Sequence, residues 1–171
     1  MVGCRDAQEQ VDTLGGRLVA GGKDSRCGWL VGVRMCGRKG RDRMAIRIVR
    51  LGSPRNPAEG LRLGTVRRPP RGVPKAEYAS RDFYDLWLPD LAPSENLVKA
   101  ALHAQDEAAW RSFVRKYRVE MKRPAAARLL LLLAALSRET PLSVGCYCAE
   151  EARCHRSVLR ALLLEHGAKL A

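Results

Sequence analysis

The densest chemistry in this sequence lies between Val144 and Arg156. There Cys146, Cys148, Cys154 and His155 stand in the order C-x-C-x5-C-H, with Arg153 and Arg156 among them. Thiols and imidazole are nucleophiles, acids, bases and soft metal ligands, so the cluster admits competing chemistries. In one, Cys146, Cys148, Cys154 and His155 bind zinc or an iron–sulfur centre, since all four are soft or borderline ligands. Adjacent residues on a helix diverge by roughly 100°, so all four converge only if the loop curls. In the second, Cys148 or Cys146 is a thiolate nucleophile and His155 an acid or base. A helix N-terminus and the cations of Arg153 and Arg156 favour a thiolate, and the same groups bind an anion beside Cys146 and Tyr147. In the third, Cys146 is a buried strand residue, Cys154 packs under the helix and His155 pairs locally.

These residues need a strand that ends, a short loop and a helix that opens. Leu142 to Tyr147 reads as the strand and Arg153 to His166 as the helix, with Gly167 placed to end it. In open α/β sheets, ligands bind outside the carboxyl ends of the strands. Upstream, Ile46 to Leu51 alternates as a strand, Leu63 to Arg67 reads as a short one, and Phe83 to Leu88 as a third. Asp85 on that third strand lies either at the ligand-binding edge or on a solvated face. Pro93 and Ser94 open a helix, with Ser94 as its N-cap. Trp110, Phe113, Val114, Tyr117 and Met121 fall on one apolar helix face, which predicts that Trp110, Phe113 and Tyr117 are largely buried. Arg111, Arg115, Arg118 and Lys122 form a basic stripe, read as solvated more readily than as a nucleic-acid contact. The helix from Pro124 to Ser137 is apolar almost all round, which predicts burial on several sides. Strands separated by helical segments predict an α/β fold: a small, mostly parallel sheet flanked by helices, in a single domain over residues 44–171.

Residues 1–43 differ. They hold 9 of the 15 glycines and none of the prolines, and read as a flexible extension: a mobile tail, or a stretch translated upstream of a domain that starts near Met44. The chain has 171 residues and a formal charge of +13, which makes a small anionic ligand plausible company and nucleic acid a weaker candidate. Aromatics make up 5%, too few for a base-stacking platform. The longest apolar run, Leu129 to Leu136, is far short of the ~20 residues that span a bilayer. No apolar secretory segment opens the sequence, so a cytoplasmic location with free thiols is expected.

Tyr84-Asp-Leu-Trp-Leu-Pro-Asp-Leu-Ala-Pro-Ser94, Phe113-Val-Arg-Lys-Tyr-Arg118 and Gly145-Cys-Tyr-Cys148 followed by Arg153-Cys-His-Arg156 together resemble the YeaO-like family, domain of unknown function 488. The resemblance spans Met44 to about Ala168 and is closest to the branch with cysteines in the last loop. The sequence lacks the Arg and Gly of the Asp-Arg-Leu-Trp-Pro-Arg-Gly branch. The resemblance implies a small α/β domain and no established activity. A uroporphyrin-III methyltransferase label is attached to some relatives. Here no Gly-rich loop follows a strand, and the domain is short for that enzyme. Separately, Cys148 and Arg153 have the C-x4-R spacing of rhodanese-like sulfurtransferase loops, whereas the C-x5-R of cysteine phosphatases fits neither loop cysteine.

Overall fold

In a computed structural model, residues 45–103 and 106–171 are described throughout; before them, only 29–30 and 33–34 are described. The chain divides into two compact units, Met1–Arg38 and Lys39–Ala171. In the first, Trp29–Leu30 pairs antiparallel with Val33–Arg34. Beyond that ladder, the expected flexible extension over 1–43 lies outside the described residues.

The second unit contains a four-stranded, all-parallel sheet with four helices, the α/β architecture that the sequence predicts. Its strands are β1 (Ile46–Arg50), β2 (Leu61–Gly64), β3 (Leu86–Trp87) and β4 (Leu142–Cys146), in spatial order β1-β4-β2-β3. All five residues of β4 are buried, as a central parallel strand requires. The register sets Ile46 and Leu61 beside Leu142, and Val49 and Gly64 beside Gly145. The outer edge of β1 is covered by the last residues of the chain: Ile46 donates to the Lys169 carbonyl at 2.8 Å, and Ala171 donates to the Ile46 carbonyl at 3.1 Å.

The helices are α1 (Glu95–Leu102), α2 (Glu107–Met121), α3 (Pro124–Leu136) and α4 (His155–Glu165). Ser94 caps α1 by accepting from the Leu97 amide, and Asp106 caps α2 by accepting from Ala109. Gly167, at φ +80°, ends α4 with the paired bonds of a Schellman turn. The main core joins Ile46, Leu63 and Val144 of the sheet to Phe113 and Tyr117 of α2, Leu130 of α3 and Leu159 of α4. A smaller core of Leu51, Val66, Tyr84, Cys146 and Cys154 lies under the carboxyl ends of the strands. Gly64 and Gly145 make room there. A Cβ on Gly64 would sit 2.5 Å from the Tyr84 ring, and one on Gly145 2.5 Å from a Leu51 methyl.

Four expectations need correction. β2 begins and ends earlier than Leu63 to Arg67, and β3 shrinks to two residues because Asp82, at φ +60°, bends the chain before it. α3 buries one face only: Leu130 and Leu133 are enclosed, while Leu131 and Leu132 are 57% and 52% exposed. Trp110 is only half-buried, stacked on Phe113 at the edge of the core. Tyr117 is fully enclosed, and its hydroxyl donates to the Leu91 carbonyl at 2.7 Å. Tyr117→Phe should therefore cost about 1–2 kcal/mol, because the buried carbonyl loses its donor, with the loss read from the urea midpoint.

Candidate functional site

Strand β4 delivers Cys146 to the carboxyl edge of the sheet, where its carbonyl accepts from the Leu51 amide at 2.9 Å. The chain then curls back so that Cys154, the last residue before α4, returns to the same place. The sulfurs of Cys146 and Cys148 are 3.6 Å apart, and those of Cys146, Cys148 and Cys154 all lie within 4.8 Å of one another. Cys146 and Cys154 are buried and Cys148 is exposed.

His155 lies beside this group and not within it. Its Nε2 is 2.8 Å from the Thr65 carbonyl oxygen, which can only accept, so the proton is assigned to Nε2. Nδ1 is left as an acceptor, 3.7 Å from the Cys154 sulfur. Thr65 is itself held on β4, its amide and hydroxyl both donating to the Gly145 carbonyl. The Tyr117 ring meets the imidazole edge-on at 5.7 Å. The imidazole is thus fixed by the strand beside β4 and by α2.

The two arginines have separate fates. Arg156 is buried, and its Nη2 donates to the Cys148 carbonyl at 2.7 Å, while its Nε has no partner. Arg153 turns outward instead. It pairs with Glu107 at 3.1 Å and lies over the Trp110 ring at 5.8 Å. Tyr147 packs edge-on against Phe83, and its hydroxyl donates to the Arg68 carbonyl at 3.4 Å. Burial, and then the charge of Tyr84, hold the Tyr147 phenol above its ordinary range. Asp85 is not brought to the cluster. Its register, beside Arg62 and Ser143, is three residues short of Cys146. Its carboxylate accepts from both Arg55 nitrogens at 2.9 Å and from the Arg62 amide at 2.8 Å. The Arg55 bonds hold it below the usual carboxylate range.

The three thiols share their protons. Hydrogen bonds from Cys146, then Cys154, lower Cys148 to about 3, and the charge of Arg156 works in the same direction. Cys146 moves the other way, because it donates to Cys148 and Cys154. Cys154 is lowered by the bond from Cys146, against opposing contributions from Cys148 and burial. Two full negative charges this close repel, so the charge settles on the exposed sulfur, Cys148.

The cluster forms the floor of an open groove of about 770 Å³. Val66, Phe83, Val98, Leu102 and Phe113 give it apolar walls. Arg67, Arg68, Arg71, Lys99 and Arg153 surround it, with Glu95 opposing them. Arg67 is spent on the carbonyls of Ala92 and Pro93, and Arg68 pairs with Glu95 at 3.0 Å. Arg71 and Lys99 form no salt bridge among the described residues. The groove walls and Thr65 escaped the sequence reading, since nothing local to α1 or β2 signals a contact with β4. Of the basic stripe on α2, Arg118 is committed to Glu165 through two bonds of 2.9 and 2.8 Å.

Together these features define a small parallel α/β domain with a thiol-floored, cation-rimmed groove at the carboxyl edge of its sheet. Residues 46–167 match the family DUF488-N3a, described as the Active DUF488-N3 subclade, and the chain belongs to the DUF488 family. This agrees with the resemblance carried by the Cys-Tyr-Cys and Arg-Cys-His-Arg motifs. No curated protein and no solved structure matches the chain. Among the described residues, no helix is long and apolar enough to cross a membrane.

Proposed function

We propose that this chain is an enzyme that uses Cys148 as a thiolate nucleophile on a small anionic substrate held in the groove. The observation that carries the reading is the Cys148 sulfur, exposed on the floor of the groove with a second thiol at 3.6 Å and a buried arginine bound to its own carbonyl. The rim cations Arg71 and Lys99 are the anion-binding groups, and the charge of Arg156 beneath the floor favours the Cys148 thiolate. Cys146 keeps the cluster's proton. His155 holds Cys154 in place as a positioning residue. The match to a subclade described as active supports turnover over passive binding. Free thiols suit a cytoplasmic location, which is part of the proposal.

Competition between two alkylating agents tests the anion preference. Iodoacetate should label Cys148 faster, relative to iodoacetamide, than it labels glutathione. Replacing both Arg71 and Lys99 by alanine should remove that preference while leaving the iodoacetamide rate near native. Equal relative rates in native protein at low salt, where rim charges act most strongly, would sink the anionic substrate.

One observation favours a second reading, a metal centre. Tetrahedral Zn–S bonds of about 2.3 Å set sulfurs ~3.8 Å apart, close to the separation of Cys146 and Cys148. Three cysteines with a fourth position open to the groove would be a reactive centre and not a closed structural one. Metal analysis of protein purified without added metal decides: about one zinc or iron per chain favours this reading, and none favours the thiolate.

A further inference from the structure

We propose that Cys148 and Cys146 form a dithiol pair that reduces small anionic disulfides, with Cys148 attacking and Cys146 resolving. The inference rests on Cys148 being the nucleophile and goes further, to the substrate class and the partner thiol.

Disulfide reduction by a protein needs an attacking sulfur that the substrate can reach and a second sulfur that only the first can reach. The geometry supplies this division. Cys148 is exposed, whereas Cys146 is buried, 7% exposed, beneath it. An external disulfide therefore meets Cys148 alone. The Cys146 sulfur waits 3.6 Å away, so closing to a disulfide near 2.05 Å needs a movement of about 1.5 Å. Cys148 can supply it, because the segment after β4 carries no ladder bonds, while Cys146 is fixed by β4. Cys154 also lies within 4.8 Å and meets His155 at 3.7 Å, whereas Cys146 stands at 3.6 Å from Cys148 and is assigned as the resolving thiol.

The groove selects the substrate. Its apolar walls accept the body of a peptide-sized molecule, and its rim cations Arg71 and Lys99 accept carboxylates. Glutathione disulfide, a carboxylate-bearing disulfide, is a suitable probe.

The chemistry balances without any other cofactor. The Cys148 thiolate attacks one sulfur of the substrate R–S–S–R. The substrate S–S bond breaks, Cys148–S–S–R forms, and RS⁻ departs. Cys146 then gives its proton to the departing thiolate and attacks the Cys148 sulfur. The mixed disulfide breaks, the Cys146–Cys148 bond forms, and a second RS⁻ leaves and is protonated from solvent. Two electrons pass from the two cysteines to the substrate. A reducing dithiol, dithiothreitol in the assay, returns them.

The full chain, reduced and freed of reductant, is treated with glutathione disulfide, quenched with acid and mapped by peptide mass. Mapping separates the cluster from Cys4, Cys27 and Cys36. Native protein should carry a Cys146–Cys148 disulfide. Cys146→Ser should instead trap glutathione on Cys148, and Cys154→Ser should behave as native. If the buried serine prevents folding, Cys146→Ala replaces it. A stable glutathione adduct on Cys148 in native protein would overturn the dithiol pair, as would trapping by Cys154→Ser in place of Cys146→Ser. If Cys148 is alkylated at low pH yet ignores glutathione disulfide, the nucleophile stands and the disulfide substrate falls. If neither reagent modifies Cys148, both fall.

Discussion

Cys148 should be alkylated by iodoacetamide at nearly the same rate at pH 5 as at pH 8, and Cys148→Ser should abolish the reaction at pH 5. A free thiol with a pKa of about 8.5 is thiolate to only about 1 part in 3,000 at pH 5. A thiol lowered to about 3 is fully ionised there. Its thiolate is intrinsically weaker: a Brønsted slope of 0.4–0.5 over some 5 units costs a few hundredfold. The net gain at pH 5 is therefore about tenfold, and at pH 7 a free thiol overtakes it. The shape of the profile is the signature, not the rate at neutrality. The sign also fixes the effect on stability. The folded value lies below the unfolded one, so the contribution is complete above the unfolded pKa and is lost as pH falls through the folded value. Between those limits the native state binds fewer protons, and native protein should gain stability with rising pH more steeply than Cys148→Ser. A rate that climbs tenfold per pH unit up to pH 8 would show an ordinary thiol.

Arg62→Ala should cost about 3–5 kcal/mol, the largest loss expected of any substitution on β2. Arg62 is fully buried, and its Nε donates to Glu59 at 2.6 Å. Its Nη1 donates to the Ser53 and Asp82 carbonyls. One side chain thus ties β2 to the loops on either side of it. Its removal leaves the buried Glu59 carboxylate and two carbonyls without their donor. Glu59→Gln should also destabilise, because the amide still accepts from Nε but leaves the buried Arg62 guanidinium without its counter-charge. The double variant Glu59→Leu with Arg62→Met should lose less stability than Glu59→Leu alone plus Arg62→Met alone, since it leaves no buried charge unpaired. Urea unfolding of the native protein, Glu59→Leu, Arg62→Met and the double variant closes the cycle. Strict additivity would show that the two side chains act separately.

The cysteine cluster was legible because its members lie in one short stretch, and a strand–loop–helix there follows from local patterning. Which ligands converge was not. His155 leaves the sulfur group because its Nε2 is taken by Thr65, 90 residues away. Arg153 matched a familiar spacing to Cys148, but α2 supplies Glu107 and Trp110 and draws it outward. Arg156, one turn deeper, takes the place beside Cys148. Asp85 read as a candidate because its neighbours are aromatic; register, which no local pattern carries, puts it at the wrong level of the sheet. The α3 helix shows the same limit. Its sequence is apolar on all sides, yet only neighbouring elements decide which side is covered.

The strand order β1-β4-β2-β3 also governs when the protein can fold. The ladders that β4 makes with its two neighbours, and the edge of β1, join partners far along the chain: Ile46 with Leu142 and with Leu170, and Leu61 with Leu142. No hairpin exists in this sheet, and loops of roughly 80–120 residues must close before most ladder bonds form. During synthesis, β1 leaves the ribosome early and stays unpaired until β4 emerges behind three helices. At 5–20 residues per second that wait is on the order of 5–20 seconds. The thiol groove, built on the last strand to arrive, is completed only once β4 and α4 have both emerged.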